Sequence, residues 1–367
     1  MLPQTQAMVL GSLSGLDLEI TTGTAVSSVV AVLRGTAFDR TDRVVLLRGD
    51  MDALPVVEDS GEPFAATGDT MHACGHDLHT AGLVGAVRLL HERRSELRGD
   101  VVFMFQPGEE GWDGAGAMIA EGVLDAAGRR ADAAYGLHVM ANMLPLGMVT
   151  SRPGPLMAAS SGLFVTVRGA GGHGSRPHAA ADPIVVAAEM VTALQTMVTR
   201  QFDLFDPVVV TVGTFHAGTR RNIIPETATF EATVRTLSPA QLAIMEKASV
   251  RLCEQIAAAH GCSAEVRFEP EYPLTANDAE KTAFALSVAT DLVGPERIHA
   301  LENPLMGSED FSRVLEEVPG CYLFVGACPG DPDASPGNHA PGARFDDVVL
   351  GDCARLLAEL AVRELSR

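Results

Sequence analysis

Ten consecutive residues, 71–80, read MHACGHDLHT and hold His72, Cys74, His76, Asp77 and His79. A thiolate, imidazoles and a carboxylate are the side chains that bind divalent transition metals. Only Gly75 separates Cys74 from His76, in a turn-prone loop ahead of a helical pattern. In an extended segment positions i and i+2 project to one side, so the spacing predicts that both side chains reach one centre. Further ligand types close apolar runs: Glu109 and Glu110 in FQPGEEG, His138 in GLHV, and His339 in the Gly/Pro-rich GNHAPGARF. Open α/β sheets place their sites at such strand ends. Cys74, His76, Glu110, His138 and His339 together suffice for two divalent cations sharing a water. Consecutive side chains diverge in extended chain, so Glu110 can hold a metal while Glu109 faces the water as general base. The residue types leave the ion open among Zn, Mn, Co and Ni.

Positioning these side chains requires an α/β layer. The runs at 27–33, 43–50, 101–107 and 133–139 read as strands buried on both faces, and 78–94 carries apolar residues at helical spacing. The alternation predicts a largely parallel sheet. The middle of the chain reads differently, with strands at 163–169, 207–215, 228–236 and 263–270 and helices at 182–200 and 238–261. That β-α-β-β-α-β order is the ferredoxin-like unit. The last part returns to α/β character, with a strand at 321–327 and a helix across 346–365. The expected organisation is an α/β domain of residues 1–157 and 273–367, interrupted by a smaller α+β domain at 158–272.

The chain has 367 residues, with 27 Lys and Arg against 47 Asp and Glu, for a net charge of −20. Phosphate neutralisation needs clustered Lys and Arg, so nucleic acid is excluded as an expected partner. No membrane span is predicted. The N-terminal MLPQTQAMVLGSLSGL lacks the basic and long apolar regions of a signal peptide, so a cytoplasmic location with reduced thiols is expected. Gly169, Gly171 and Gly174 formally satisfy G-x-G-x-x-G. A dinucleotide fingerprint needs a helix at once and an acidic residue ending the next strand. Pro177 and Pro183 delay the helix here, which argues against a nucleotide.

The segments LRGDMDALP, HACGHDLHT, FQPGEEG, GLHV, GGHGSRPH, RNIIPE and MGSEDFS, in this order, resemble the dinuclear metallopeptidases that include the aminoacylases and glutamate carboxypeptidases. Within that family they are most similar to the amidohydrolase branch of hippurate hydrolases, N-acyl-amino-acid amidohydrolases and auxin-conjugate hydrolases. The resemblance spans nearly the whole chain. It implies a phosphorylase/hydrolase-like catalytic domain with an inserted ferredoxin-like lid, and a homodimer formed through the lid. It implies metal ligation by Cys74, His76, Glu110, His138 and His339, with Glu109 as base. It further implies that His173 polarises the scissile carbonyl in the partner subunit's site, and that Asn222 and Arg235 bind the substrate's carbonyl and carboxylate. The substrate would be a small N-acyl-amino acid; a dipeptide substrate, or a silent acyl-amino-acid-binding dimer, are the alternatives. Relatives carry an N-terminal helix with a His-x-x-Pro-Glu element ahead of the stretch matching LPQTQ, which this sequence does not contain; no ligand is lost with it. Asp52, expected to end a buried strand, suits a carboxylate that orients a ligand histidine or holds a neighbouring loop. Asp77 would do the same or cap the following helix.

Overall fold

The computed structural model describes residues 1–367 and divides the chain into two compact units. The larger holds Met1–Leu156, Ala276–Asn303 and Glu309–Arg367; the smaller holds Met157–Thr275 with Pro304–Ser308. The short return 304–308, assigned from the sequence to the larger domain, groups with the smaller unit.

The larger unit is built on an eight-stranded sheet. Along the chain come α1 (Pro3–Leu13), β1 (Glu19–Thr22), β2 (Val29–Leu33), β3 (Val44–Asp50), α2 (His76–Glu92), β4 (Asp100–Gln106), β5 (Ala133–Met140) and β6 (Val149–Ser151). The strands Ile298–Ala300 and Gly320–Gly326 complete the sheet in the order β1-β2-β4-β3-β5-(320–326)-β6-(298–300). Every residue of β2, β3, β4, β5 and Gly320–Gly326 is buried. Continuous Val/Leu/Phe runs of this kind are what a sheet covered on both faces demands. The sheet is parallel from β4 through β3 and β5 to Gly320–Gly326 and again between β6 and Ile298–Ala300, whereas β1 with β2, β2 with β4, and β6 with Gly320–Gly326 pair antiparallel. A parallel neighbour needs a long crossover, which the short link between β1 and β2 does not supply. Four of the seven strand pairs are parallel, so the expected parallel arrangement holds at the centre of the sheet, with antiparallel pairs toward its edges.

Helix α2 packs Leu83, Ala86, Val87 and Leu90 into the core, together with Leu356, Leu357, Leu360 and Ala361 of the C-terminal helix Leu350–Glu364. Two core helices went unread in the sequence, α1 and Ala279–Val293. The second carries a legible start, Asp278 capping the Lys281 N–H, and a legible stop at Gly294. Helix α1 has no side-chain cap and buries only Val9 and Leu13, so its signal is weak.

In the smaller unit four antiparallel strands, Ala159–Arg168, Val208–Ala217, Thr227–Thr236 and Ser263–Tyr272, lie in the order second-third-first-fourth. Helices Pro183–Gln201 and Pro239–Ala259 cover one face, burying Met190, Leu194, Met245 and Cys253 against Leu163, Val165, Phe230 and Val234. The period-2 burial of Thr227–Thr236 is that of a sheet with one covered face.

Candidate metal centre

The reach of Cys74 and His76 toward one point depends on Gly75, though not as an extended segment. Gly75 lies in the left-handed region at φ +78 and forms the N-cap of α2, so the chain turns sharply and His76 becomes the first helical residue. A Cβ at position 75 would stand 2.4 Å from Val139 Cγ2. Only glycine meets both demands. Asp77 neither caps the helix nor orients His76; it is exposed.

Strand β3 ends at Asp50, two residues before Asp52, so Asp52 lies in the loop beyond the strand it was expected to close. Its carboxylate accepts the N–H groups of Glu109 at 3.1 Å and Glu110 at 2.9 Å, and Asp52 Oδ1 stands 3.4 Å from His76 Nδ1. Asp52 thus holds the glutamate loop and also flanks the histidine. The neighbouring glutamates part toward different partners. Glu110 Oε1 is 3.1 Å from His339 Nε2, whereas Glu109 is buried against Glu309 and Asp310.

Cys74 Sγ is the meeting point, 3.3 Å from His138 Nε2 and 3.2 Å from His339 Nε2. Potential ligand atoms within 4.8 Å of one another form the groups Cys74–His76–His138 and Cys74–Glu110–His339, which share the sulfur, and the group His76–Glu109–Glu110. Bonds of about 2.3 Å to sulfur and 2.0–2.1 Å to nitrogen at a tetrahedral angle would separate S and N by about 3.5 Å. The sulfur–nitrogen distances are close to that. Both ring nitrogens of His76 are wholly buried and neither makes a hydrogen bond, which an imidazole awaiting a ligand explains.

The electrostatics agree. Burial opposes a charge on His76, yet Asp50, Asp52 and the Cys74 sulfur raise its pKa well above the ordinary value. Burial likewise opposes ionisation of Cys74, but His138, His339 and His76 hold the thiol well below its usual range. His339, hydrogen-bonded to Cys74 and beside Glu110, is pushed up to about 10. Groups that hold protons this firmly surround a surplus of negative charge, and a divalent cation satisfies that surplus as well as protons do.

Residues 46–363 match the model of peptidase family M20/M25/M40. The chain belongs to that family. It is 37% identical over 320 residues to an N-acetylcysteine deacetylase of Bacillus subtilis, covering 87% of this chain and 81% of that protein. It is 38% identical over 326 residues to IAA-amino acid hydrolase ILR1-like 5 of Arabidopsis thaliana, covering 88% and 74%. The solved YxeP protein of Bacillus subtilis, described as a dinuclear metal binding peptidase from the M20 family, superposes with a TM-score of 0.82 at 31% identity, over 100% of this chain and 93% of that one. This M20/M25/M40 chain is therefore a hydrolase of amide bonds with a mixed α/β fold, in a family that binds two metal ions.

Beneath the ligand cluster lies a polar floor that the sequence reading passed over. Arg48 is wholly buried and contacts Asp50 at 2.5 Å, Glu309 at 2.7 Å, Gln106 at 2.8 Å and Asp310 at 3.1 Å. Tyr322 donates to Glu309 at 2.6 Å, and Gln106 donates to Asp310 at 2.7 Å. His79 Nδ1 sits 2.5 Å from Asp50 and its Nε2 accepts the Val139 N–H at 2.8 Å. With both nitrogens used and its pKa lowered by burial, His79 is a neutral strut. Burial first, then Glu309 and Asp310, push the Glu109 carboxyl well above its ordinary value, and burial with Glu309 pushes Asp310 up to about 8 despite Arg48. The available signal was a pair of charges, Arg48 and Asp50, inside the otherwise apolar strand VVLLRGD.

The other sequence-predicted residues lie in the smaller unit. His173 and Asn222, 49 positions apart in the chain, meet on a two-stranded ribbon that pairs Ile223 with His173, and Gly174 N–H donates to the Asn222 carbonyl at 2.9 Å. A Cβ at Gly174 would stand 3.1 Å from that carbonyl group. Both residues are exposed. Arg235 belongs to a different element, Thr227–Thr236. It is half-buried, donates to Ser308 Oγ at 2.7 Å, and has its pKa lowered by burial.

Proposed function

We propose that the protein is a two-metal amidohydrolase that cleaves the bond between an acyl group (acetyl, benzoyl or another aromatic acyl) and an amino acid. The observation that carries this reading is the sharing of Cys74 Sγ between two groups of potential ligands, with Glu109 beside both. Cys74, His76, Glu110, His138 and His339 would hold the ions, which supply positive charge that acidifies water and polarises a carbonyl oxygen. Thiolate and imidazole favour zinc on affinity, with Mn, Co and Ni as rivals where they are abundant.

Glu109 removes the proton from the attacking water and passes it to the leaving amine. Its environment suits the second half of that task, since a carboxyl with a raised pKa holds a proton long enough to deliver it. His173 donates to the carbonyl oxygen as negative charge develops there. Ser175 prepares it for this: the Ser175 N–H, which can only donate, points at His173 Nδ1 from 3.1 Å. The neutral ring must then carry its proton on Nε2, the donor form that an oxyanion needs.

Asn222, beside His173, would bind the substrate's carbonyl, and Arg235 its free carboxylate. A guanidinium stripped of water with a hydroxyl as its partner is well suited to a carboxylate ligand. The smaller unit would serve as lid and dimer interface, bringing His173 to the partner's site. Its edge strand Val208–Ala217 is paired on one side only and exposes Val209 and Phe215. The six free cysteines suit the reducing cytoplasm, and no helix is long and apolar enough to cross a membrane.

The test is metal analysis of the purified protein together with hydrolysis of hippurate, N-acetylmethionine and a dipeptide. The expected result is turnover of an N-acyl-amino acid that disappears on chelation and returns with added divalent ions. Turnover that survives complete removal of metal, or cleavage of the dipeptide alone, would overturn the reading.

A further inference from the structure

Asn338 lies one residue before His339 and is half-buried. Its side-chain Oδ1 accepts the Ala141 N–H at 2.9 Å and its Nδ2 donates to the Val139 carbonyl at 3.1 Å. The same Nδ2 stands 3.4 Å from the Cys74 carbonyl and 3.7 Å from Cys74 Sγ. Backbone N–H can only donate and a backbone carbonyl can only accept. The amide therefore has a single satisfactory orientation, with Oδ1 on Ala141 and the NH₂ toward Val139 and Cys74. Of its two N–H groups, one serves Val139 and the other is left for Cys74. One side chain thus ties the strand end that carries His138, the turn that carries Cys74, and its own loop with His339.

The peptide at Val139 leaves little slack. Its carbonyl also accepts from His138 Nδ1 at 2.8 Å, which leaves the His138 Nε2 lone pair facing Cys74. Its N–H is taken by His79 at 2.8 Å. The loop on the other side is equally constrained, because the His339 N–H donates to the Ala73 carbonyl at 2.8 Å and His339 sits at φ +71. A non-glycine residue in that region is uncommon and persists where its surroundings hold it.

We propose that Asn338 is a positioning residue of the metal centre: it sets the spacing of the Cys74 sulfur from the His138 and His339 imidazoles and aims an N–H at the sulfur. This rests on the two-metal reading above. An amide that donates toward a ligand sulfur withdraws electron density from it and so tunes the bound metal. Removing such an outer partner typically weakens metal binding by about 10–100-fold.

The test compares the parent protein with Asn338→Ala and the nearly isosteric Asn338→Asp. Each is stripped of metal, titrated with Zn²⁺ against a chromophoric chelator, and separately loaded with Co²⁺ to record the thiolate-to-cobalt charge-transfer band. Both variants should bind Zn²⁺ about 10–100-fold more weakly, with Asp the worse because it replaces a donor by an acceptor. The charge-transfer band should shift, while the metal-free melting temperature falls by no more than the few degrees that the lost hydrogen bonds cost. Should the Ala variant fail to fold, the Asp variant, of nearly the same volume, still decides. Parent-like affinity and an unshifted band would overturn the role of Asn338 alone. A parent protein with no such band would overturn the metal reading and the role of Asn338 with it.

Discussion

In the larger unit most polar side chains around Cys74 are buried, with His339 exposed at the rim, and nearly all of them are held by a second side chain, whereas in the smaller unit His173 and Asn222 stand in solvent on a ribbon of two residue pairs. Burial accounts for the contrast. A charge removed from water must find partners or lose its charge, so the larger unit surrounds Arg48 with Asp50, Glu309 and Asp310 before any ligand arrives. An exposed imidazole has no such requirement and needs only the Ser175 N–H to fix its proton. Substitutions in the buried region should therefore shift the stability of the metal-free protein, upward or downward with the charge removed, while those on the ribbon should change chemistry alone.

The largest effect is expected at Glu109. Its replacement by Gln should lower kcat by about 10²–10⁴-fold, the usual worth of a general acid–base group, with metal content retained. Three buried carboxyls crowd together there, so removing one charge should leave the metal-free protein at least as stable as the parent. Retained turnover would end the base assignment, and a large loss of stability would contradict the crowding.

Arg48 tests the buried region from the opposite side. In Arg48→Met the carboxylates of Asp50, Glu309 and Asp310 lose their shared cation, and removal of one partner from a buried ion cluster typically costs about 3–5 kcal/mol. Denaturant unfolding of the metal-free variant should show that loss. A variant as stable as the parent would mean that the floor holds its charges by other means.

What the sequence revealed follows the same division. Cys74, His76, Glu109, Glu110, His138 and His339 were legible because glycine-rich turns and strand ends announce residues kept for chemistry, and the structure brings them together. The glycine- and proline-bearing motifs GGHGSRPH and RNIIPE also stood out, and the structure sets them side by side. The pairing of His173 with Asn222 through Ile223 was not legible, since a two-residue ribbon has no periodicity to detect. Asp50, His79 and Asn338 stayed hidden because their roles consist of contacts across 29, 60 and 264 positions of chain. The turn at Gly75 was misread as extended because spacing alone does not reveal a positive φ.

On the exposed side, His173→Ala should lower kcat by about 10²–10³-fold, the typical loss of one oxyanion donor, with metal content and melting temperature at parent values. If KM alone rose, His173 would be binding substrate rather than the reacting oxygen. A fall in melting temperature would erase the contrast between the two regions.

The smallest effect isolates burial from chemistry. Glu364 is a buried carboxylate of the larger unit, in the C-terminal helix, that accepts from Tyr135 OH, Lys281 Nζ and Arg43 Nη2 at 2.7 Å each. Burial raises its pKa, but Lys281 and Tyr135, with Arg43 assisting, bring it overall below the ordinary carboxyl value. A carboxyl whose folded pKa lies below its unfolded value of about 4.3 binds its proton more readily in the unfolded chain. Its stabilisation is therefore complete above about pH 4.3 and fades as the pH falls through the lower folded value. Glu364→Gln should melt a few degrees below the parent at pH 7, with the gap closing as the pH is lowered from about 4.3 toward 3. Metal content and turnover at pH 7 should match the parent, because none of its partners belongs to the ligand cluster. A gap that stayed constant down to pH 3 would show that packing at that corner, and not the charge, is what Glu364 contributes.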